Sequence, residues 1–252
     1  MMGLWMGCLV WVGADSLDPQ ALFRSARWDI WRGLSERRLP YAYVVQTRTE
    51  QLDAQGRVIA WEERQVRRFY VRGQAQREVL AERRQGTFDW GIPARSRPSA
   101  SGEPGQGPLS LGWTDSSEGG LIRPRDEPDY AFRLIGSGSV GDVPVHVLEA
   151  SVKPHRASRH ELKRARLYLE PNTRRVVAVE LQLERRSLLL DLDVELRTEL
   201  TRLGEEAWVP AKMVSAIRYK LPLRAWRFVR VTSSYRDYTP VRAEDLPAEE
   251  RP

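Results

Sequence analysis

Residues 174–184 read RRVVAVELQLE and residues 192–200 read LDVELRTEL. In the first, Val177, Val179, Leu181 and Leu183 alternate with Ala178, Glu180 and Gln182. In the second, Leu192, Val194, Leu196, Thr198 and Leu200 alternate with Asp193, Glu195, Arg197 and Glu199. Successive side chains of a strand point to opposite faces, so a period of two puts one face on a core and the other in water.

The same texture extends in both directions. Strand-like segments cover 208–221 and 226–238, and 165–170 joins 174–184 through Pro171-Asn172-Thr173. Upstream, 130–135 and 145–152 flank a turn at Gly141-Asp142. Earlier still, 41–50, 58–71 and 74–84 are separated by the turns Asp53-Ala54-Gln55-Gly56 and Arg72-Gly73. Hairpins in succession predict an antiparallel meander. Asp18-Pro19 supplies a capping acid and a first-turn proline, and Leu22, Phe23, Ala26, Ile30 and Leu34 form one helical stripe about 120° wide. The expected fold is mainly β with helices (α+β): one curved antiparallel sheet with a helix over 18–35 on its concave side. Residues 91–128 are rich in Gly, Pro and Ser, but both flanks are strand-like. They read as an excursion within a single domain over 15–240, followed by a mobile acidic tail at 241–252.

The 252 residues are 41% hydrophobic and 29% charged, which excludes a multi-span membrane protein, a collagen and a fully disordered chain. There are 40 Lys+Arg against 34 Asp+Glu, a net charge of +6. The charges are interspersed, as in Glu62-Glu63-Arg64 and Glu184-Arg185-Arg186, rather than gathered into a basic block. Nucleic acid is therefore not expected as a partner.

Residues 1–14, MMGLWMGCLVWVGA, carry no charged side chain. As a helix they would span about 21 Å, short of the roughly 30 Å hydrocarbon core of a bilayer. They resemble the apolar region of a signal peptide, with Val12-Gly13-Ala14 as the small residues before cleavage. The expectation is an exported, periplasmic or envelope protein, at most peripheral to a membrane. Lipidation at Cys8 and a buried amino-terminal segment are the alternatives.

Chemistry-bearing motifs do not converge. Gly136-Ser137-Gly138-Ser139-Val140-Gly141 matches GxGxxG, but strand-like residues follow where a dinucleotide site needs a helix. Cys8 is the sole cysteine, and the histidines His146, His155 and His160 show no metal-ligand spacing. His155 and His160 read as part of a solvated loop. Nucleophile, base and metal set are all missing from the pattern, so no enzyme and no cofactor is expected.

What remains is apolar surface. A curled antiparallel sheet can enclose a lipid-sized cavity or a solid core. The inward set expected to line it is Phe23 and Ile30 of the helix, Trp61, and Val177, Val179, Leu181, Val194, Leu196, Leu200, Met213, Ile217 and Tyr219. LPYAYVVQTRTEQLDAQGRVIAWEERQVRRFYV (39–71), ARLYLEPNTRRVVAVELQL (165–183) and ELTRLGEEAWVPAKMVSAIRYKL (199–221), with its Trp208-Val209-Pro210, resemble the bacterial LolA/LolB lipoprotein carriers and the RseB amino-terminal domain. That resemblance spans about 18–239. It implies an incomplete antiparallel barrel wrapped around helices, with an apolar interior that takes a lipid, an acyl chain or an acylated protein. The alternative is an envelope module with a solid core that binds a protein partner.

Overall fold

The computed structural model describes residues 18–27, 41–72, 74–89, 121–204 and 207–245. Ten strands follow in chain order: β1 (Tyr41–Leu52), β2 (Val58–Val71), β3 (Gln74–Gln85), β4 (Tyr130–Val140), β5 (Val143–Val152), β6 (Leu162–Leu169), β7 (Val176–Arg186), β8 (Asp191–Leu203), β9 (Ala207–Lys220) and β10 (Arg227–Pro240). They form one antiparallel sheet in the order β3-β2-β1-β10-β9-β8-β7-β6-β5-β4. From β4 to β10 the chain meanders, each strand beside its predecessor. Then β10 pairs with β1, so the first three strands continue the same sheet. Because β3 and β4 are the two edges, the Gly/Pro/Ser-rich excursion joins opposite edges of one sheet.

The GxGxxG run lies largely within β4, where Ile135 bulges out between the pairs Leu134–Leu148 and Gly136–Val147. Gly141, at φ 60°, makes the tight turn into β5, the left-handed conformation that glycine adopts without strain. A hairpin therefore stands where nucleotide binding would need a helix.

The amino-terminal helix is shorter than its apolar stripe predicts. Helix α1 covers Pro19–Arg24, with the Asp18 side chain accepting from the Gln20 amide at 3.0 Å. Ser25 ends it. Two residues later the backbone is captured by the sheet: the Arg27 amide donates to Arg174 O at 2.9 Å and Arg27 O accepts from the Val176 amide at 3.2 Å. Those bonds occupy groups that further helical turns would use. Residues 28–40, including Ile30 and the rest of the predicted helix, lie outside the described residues, as do the 1–14 segment and most of the 91–128 excursion. Of that excursion, Ile122 is buried in the core, and a short 3-10 turn over Pro124–Asp129 leads into β4. No helix among the described residues is long and apolar enough to cross a membrane.

The register divides the sheet into two chemically opposite faces. One face carries a row of directly opposed residues that runs Arg133, Glu149, Arg166, Glu180, Arg197, Val214, Thr232, Arg48, Glu63, Arg83 from β4 to β3. Every charged neighbour in it is of opposite sign, the arrangement that favours cross-strand pairing. Glu149 lies 3.1 Å from Arg133 and 2.8 Å from Arg166; Glu180 meets Arg197 and, at 3.6 Å, Arg166; Arg48 lies 3.6 Å from Glu63. In the adjacent row Glu50 is held between Arg48 and Arg230 at 2.8 and 2.6 Å.

The other face is apolar along β4 to β10. Its largest cluster joins Leu22 and Phe23 of α1 to Tyr130, Leu148, Ala150, Leu167, Val179 and Leu181. A second unites Val194, Ile217 and Val229. A separate cluster of Val140, Val143, Val145, Val177, Ala178, Leu200 and Trp208 reaches the charged face, where Val143 and Val145 share the parity of Glu149 and Ala178 that of Glu180. Val176, Val177, Ala178 and Val179 are consecutive and all fully buried, so the start of β7 is covered on both sides. That explains why the run VVAV has no polar member while the rest of the strand alternates.

Candidate functional site

The apolar face is the one surface on which the sequence-predicted residues gather. Rows of opposed residues cross it: Ala165, Leu181, Leu196, Ser215, Val231; then Leu183, Val194, Ile217, Val229; then Leu167, Val179, Thr198, Met213, Ser233. Phe23 reaches the same face from α1, its ring 5.0 Å from that of Phe132. Within this surface Leu181, Val179, Val194 and Ile217 are buried, whereas Leu196, Met213 and Tyr219 are half-buried. Val177 and Leu200 do not join them: they pack at the far end of β7 and β8 in the cluster of Trp208, Val145 and Ala178, which reaches the charged face.

Trp61 departs from the expectation. It stands opposite Glu50, on the charged face, with the Arg48 guanidinium 4.6 Å above its ring and its indole N–H donating to Gln85 at 2.9 Å. A tryptophan can serve on a wet face because arginine stacks on its π-system while the ring edge hydrogen-bonds. Ile30 lies outside the described residues.

Residues that the sequence reading left out complete the surface. Phe132, Leu183, Leu192 and Val231 all sit half-buried against the clusters. Each falls at the inward parity of a strand already predicted, so the signal was their alternation with Arg133, Glu184, Asp193 and Arg230.

Toward β10 and β1 the same face becomes polar. Thr47 and Ser233 share a 3.0 Å hydrogen bond between hydroxyls. The Gln51 amide is fastened at both ends to the Asp89 backbone, donating to its O at 2.8 Å and accepting from its N–H at 2.7 Å. At the far end of these strands the Tyr43 ring stacks on Tyr238 at 5.4 Å and tilts against Tyr235 at 6.1 Å. Burial pushes the Tyr235 phenol up to about 12, and burial raises Tyr238 as well. The Tyr238 hydroxyl donates to Pro210 O at 2.6 Å. The Trp208-Val209-Pro210 element thus has a structural part: Trp208 and Val209 are buried and Pro210 anchors the tyrosine. Its missing N–H is tolerated because the β9–β10 ladder begins only at Lys212.

Ionisable groups are engaged in structural pairs. Burial raises the Glu149 carboxyl, but its bond to Arg166 and the nearby Arg133 outweigh this and hold it below the ordinary carboxylate range. Glu50 is lowered in the same way by Arg48 and Arg230 against the burial that opposes them. His160, expected in a solvated loop, is mostly covered and lies 2.7 Å from Asp129, beside the Tyr130 ring. His146 Nδ1 lies 3.1 Å from Ser137 Oγ as an exposed cross-strand pair. Among the described residues no three His, Cys, Asp or Glu side chains group as a metal site would require. What this arrangement supplies is non-polar contact with a few neutral hydrogen-bonding groups at its margin.

No family model and no curated protein matches the sequence. Among solved structures, the chain is similar to an outer membrane lipoprotein-sorting protein domain from Vibrio parahaemolyticus, with 11% identity, 88% of this chain and 93% of that one covered, and a TM-score of 0.35. It is similar to a DUF1329 family protein from Desulfovibrio piger at 12% identity, with 89% and 94% covered and a TM-score of 0.33. It is also similar to MucB from a Pseudomonas aeruginosa MucA/MucB complex at 13% identity, with 87% and 99% covered and a TM-score of 0.22.

Proposed function

We propose that this chain is an exported, non-catalytic binding protein of the cell envelope whose apolar sheet face holds a lipid, an acyl chain or an acylated protein. The observation that carries the reading is the patch of half-buried Leu183, Leu192, Leu196, Met213, Tyr219 and Val231, contiguous on one face beside a fully buried core. Apolar side chains left part-exposed in a row are a surface for an apolar ligand. The solid burial of Leu148, Leu167, Val176 and Val179 favours the second reading, an interaction module with a filled core and a protein partner.

Leu196 separates them. If it borders a groove, Leu196→Ala costs about 1 kcal/mol, whereas in a filled core it costs about 2–5 kcal/mol. Leu196→Trp should leave the fold standing and block uptake of a fluorescent fatty acid. Loss of folding in Leu196→Trp through overpacking, with no probe bound by the unmodified protein, would establish the second reading instead.

A further inference from the structure

Four connections stand at the same end of the sheet: residues 53–57 between β1 and β2, 153–161 between β5 and β6, 187–190 between β7 and β8, and 221–226 between β9 and β10. Two of them carry leucine where turn chemistry calls for Gly, Asn or Asp. The β7–β8 turn is closed by the Ser187 amide donating to Leu190 O at 3.1 Å, and its tip is Leu188-Leu189. Leu188 is 97% exposed and Leu189 75%. In the β9–β10 turn Leu223 is fully exposed and holds φ at 59°, a left-handed conformation that costs a leucine energy and a glycine none. Turn folding gains nothing from a fully exposed leucine at a left-handed position, and nothing among the described residues covers Leu188 or Leu189.

The charges beside them say what. Arg185 and Arg186 precede the first tip, and Lys220, Arg224 and Arg227 bracket the second. Some are engaged: Arg185 lies 3.3 Å from Glu161, Arg186 2.5 Å from Asp193 and Arg227 2.6 Å from Asp89, while Lys220 stands opposite Asp191. Arg224 has no carboxylate partner among the described residues. The 153–161 connection adds Lys153, Arg156 and Arg159 at the same end, of which Arg156 lies 3.3 Å from Asp129 and Lys153 donates to Pro128 O at 2.7 Å. Trp226, half-buried under the Arg218 guanidinium at 4.8 Å, ends the same connection as Leu223. Apolar tips with arginine and lysine beside them and a tryptophan in the same connection match the layers of a bilayer surface: acyl boundary, then anionic headgroups.

We propose that this end of the sheet docks on a bilayer containing anionic lipid, with Leu188, Leu189 and Leu223 entering the interface and Arg224 meeting the headgroups. The proposal uses residues distinct from the half-buried patch, so it stands or falls separately from the ligand reading.

The test is sedimentation of the full chain with vesicles of phosphatidylethanolamine and phosphatidylglycerol, against vesicles of phosphatidylcholine alone. Binding is expected on the anionic vesicles and should weaken on neutral ones and at high salt. Leu188→Ser/Leu189→Ser/Leu223→Ser should weaken it about tenfold or more, with an unchanged circular dichroism spectrum because the three side chains bury little surface. Arg224→Gln should cost about fivefold, the worth of one basic residue at an anionic surface. Val79→Ser/Leu80→Ser, which removes exposed apolar groups on β3, should leave binding unchanged. The proposal is overturned if the unmodified chain ignores anionic vesicles, or if the triple variant binds as well as the original. It is also overturned if the β3 control weakens binding equally. Self-association without lipid that the triple variant abolishes would assign the tips to a second copy of the chain.

Discussion

Replacing Glu149 with glutamine tests whether the ion-pair row holds the sheet together or merely decorates it. Glu149 is 6% exposed and sits between two arginines of neighbouring strands. The Arg133 side is open to water, with 67% of that side chain exposed, so its pair should contribute under about 1 kcal/mol. Arg166 is one-third exposed and donates at 2.8 Å, a charge-assisted bond in the range of about 1.5–3 kcal/mol. Glutamine keeps the shape and one acceptor oxygen but loses the charge. Glu149→Gln should therefore cost about 2 kcal/mol, read as a fall of about 1 M in the urea midpoint at pH 7. A double-mutant cycle with Arg166→Met should return a coupling of about 1–2 kcal/mol. Below pH 4 the difference should shrink. Glu149 is held below its ordinary value of 4.5, so its stabilisation is complete above that value and disappears as pH falls through the lowered one. A cost below about 0.5 kcal/mol at pH 7, or a cycle with no coupling, would refute the reasoning and reduce the row to surface charge.

Other outcomes follow from the same geometry. Leu167→Ala, at a position with no exposure in the largest cluster, should cost about 2–5 kcal/mol in chemical unfolding. Asp18→Ala removes the side-chain N-cap of α1 and should cost about 1 kcal/mol, without changing the β-sheet signal in circular dichroism. Gly86→Ala should destabilise by more than a surface change, because its φ is 78° and an added Cβ would meet Ile59 O at 2.8 Å. Mass spectrometry of the protein exported by a bacterium should find an amino terminus near Asp15, and intact Met1 would count against export.

The strands were legible because burial on one face leaves a period of two that survives any change of topology. The meander was legible too, since short turns force neighbours to pair. What escaped was contact at a distance. Nothing local in 41–52 announces that β10 is its neighbour, because that pairing joins residues nearly two hundred positions apart. In β2 both parities mix charge with apolar residues, Ala60-Glu62-Arg64-Val66 against Ile59-Trp61-Glu63-Gln65, so the face of Trp61 could not be read. The helix was overextended because its stripe continues to Leu34 while the Arg27 backbone is taken by β7. For the half-buried patch, sequence gave the parity of Leu196, Met213 and Tyr219 but not their partial exposure, which depends on what lies above them.

The two faces constrain each other. A sheet that keeps part of its apolar face uncovered gives up some of the burial that normally fixes strand register, and a slip of one residue would exchange its faces. The opposed Arg–Glu row supplies the missing specificity. Shifting β6 by one residue relative to β5 would set Glu149 against Ala165 or Leu167 in place of Arg166, stranding a buried carboxylate. Such a group, left without its cation, costs far more than the pair contributes when formed. The row therefore acts mainly by penalising wrong registers, and it does so from the face opposite the half-buried patch. This separates the two demands: the charged face specifies the fold, and the apolar face is free to stay partly open. On this reasoning the cost of Glu149→Gln should be independent of any fatty acid bound, whereas the cost of Leu196→Ala should depend on it.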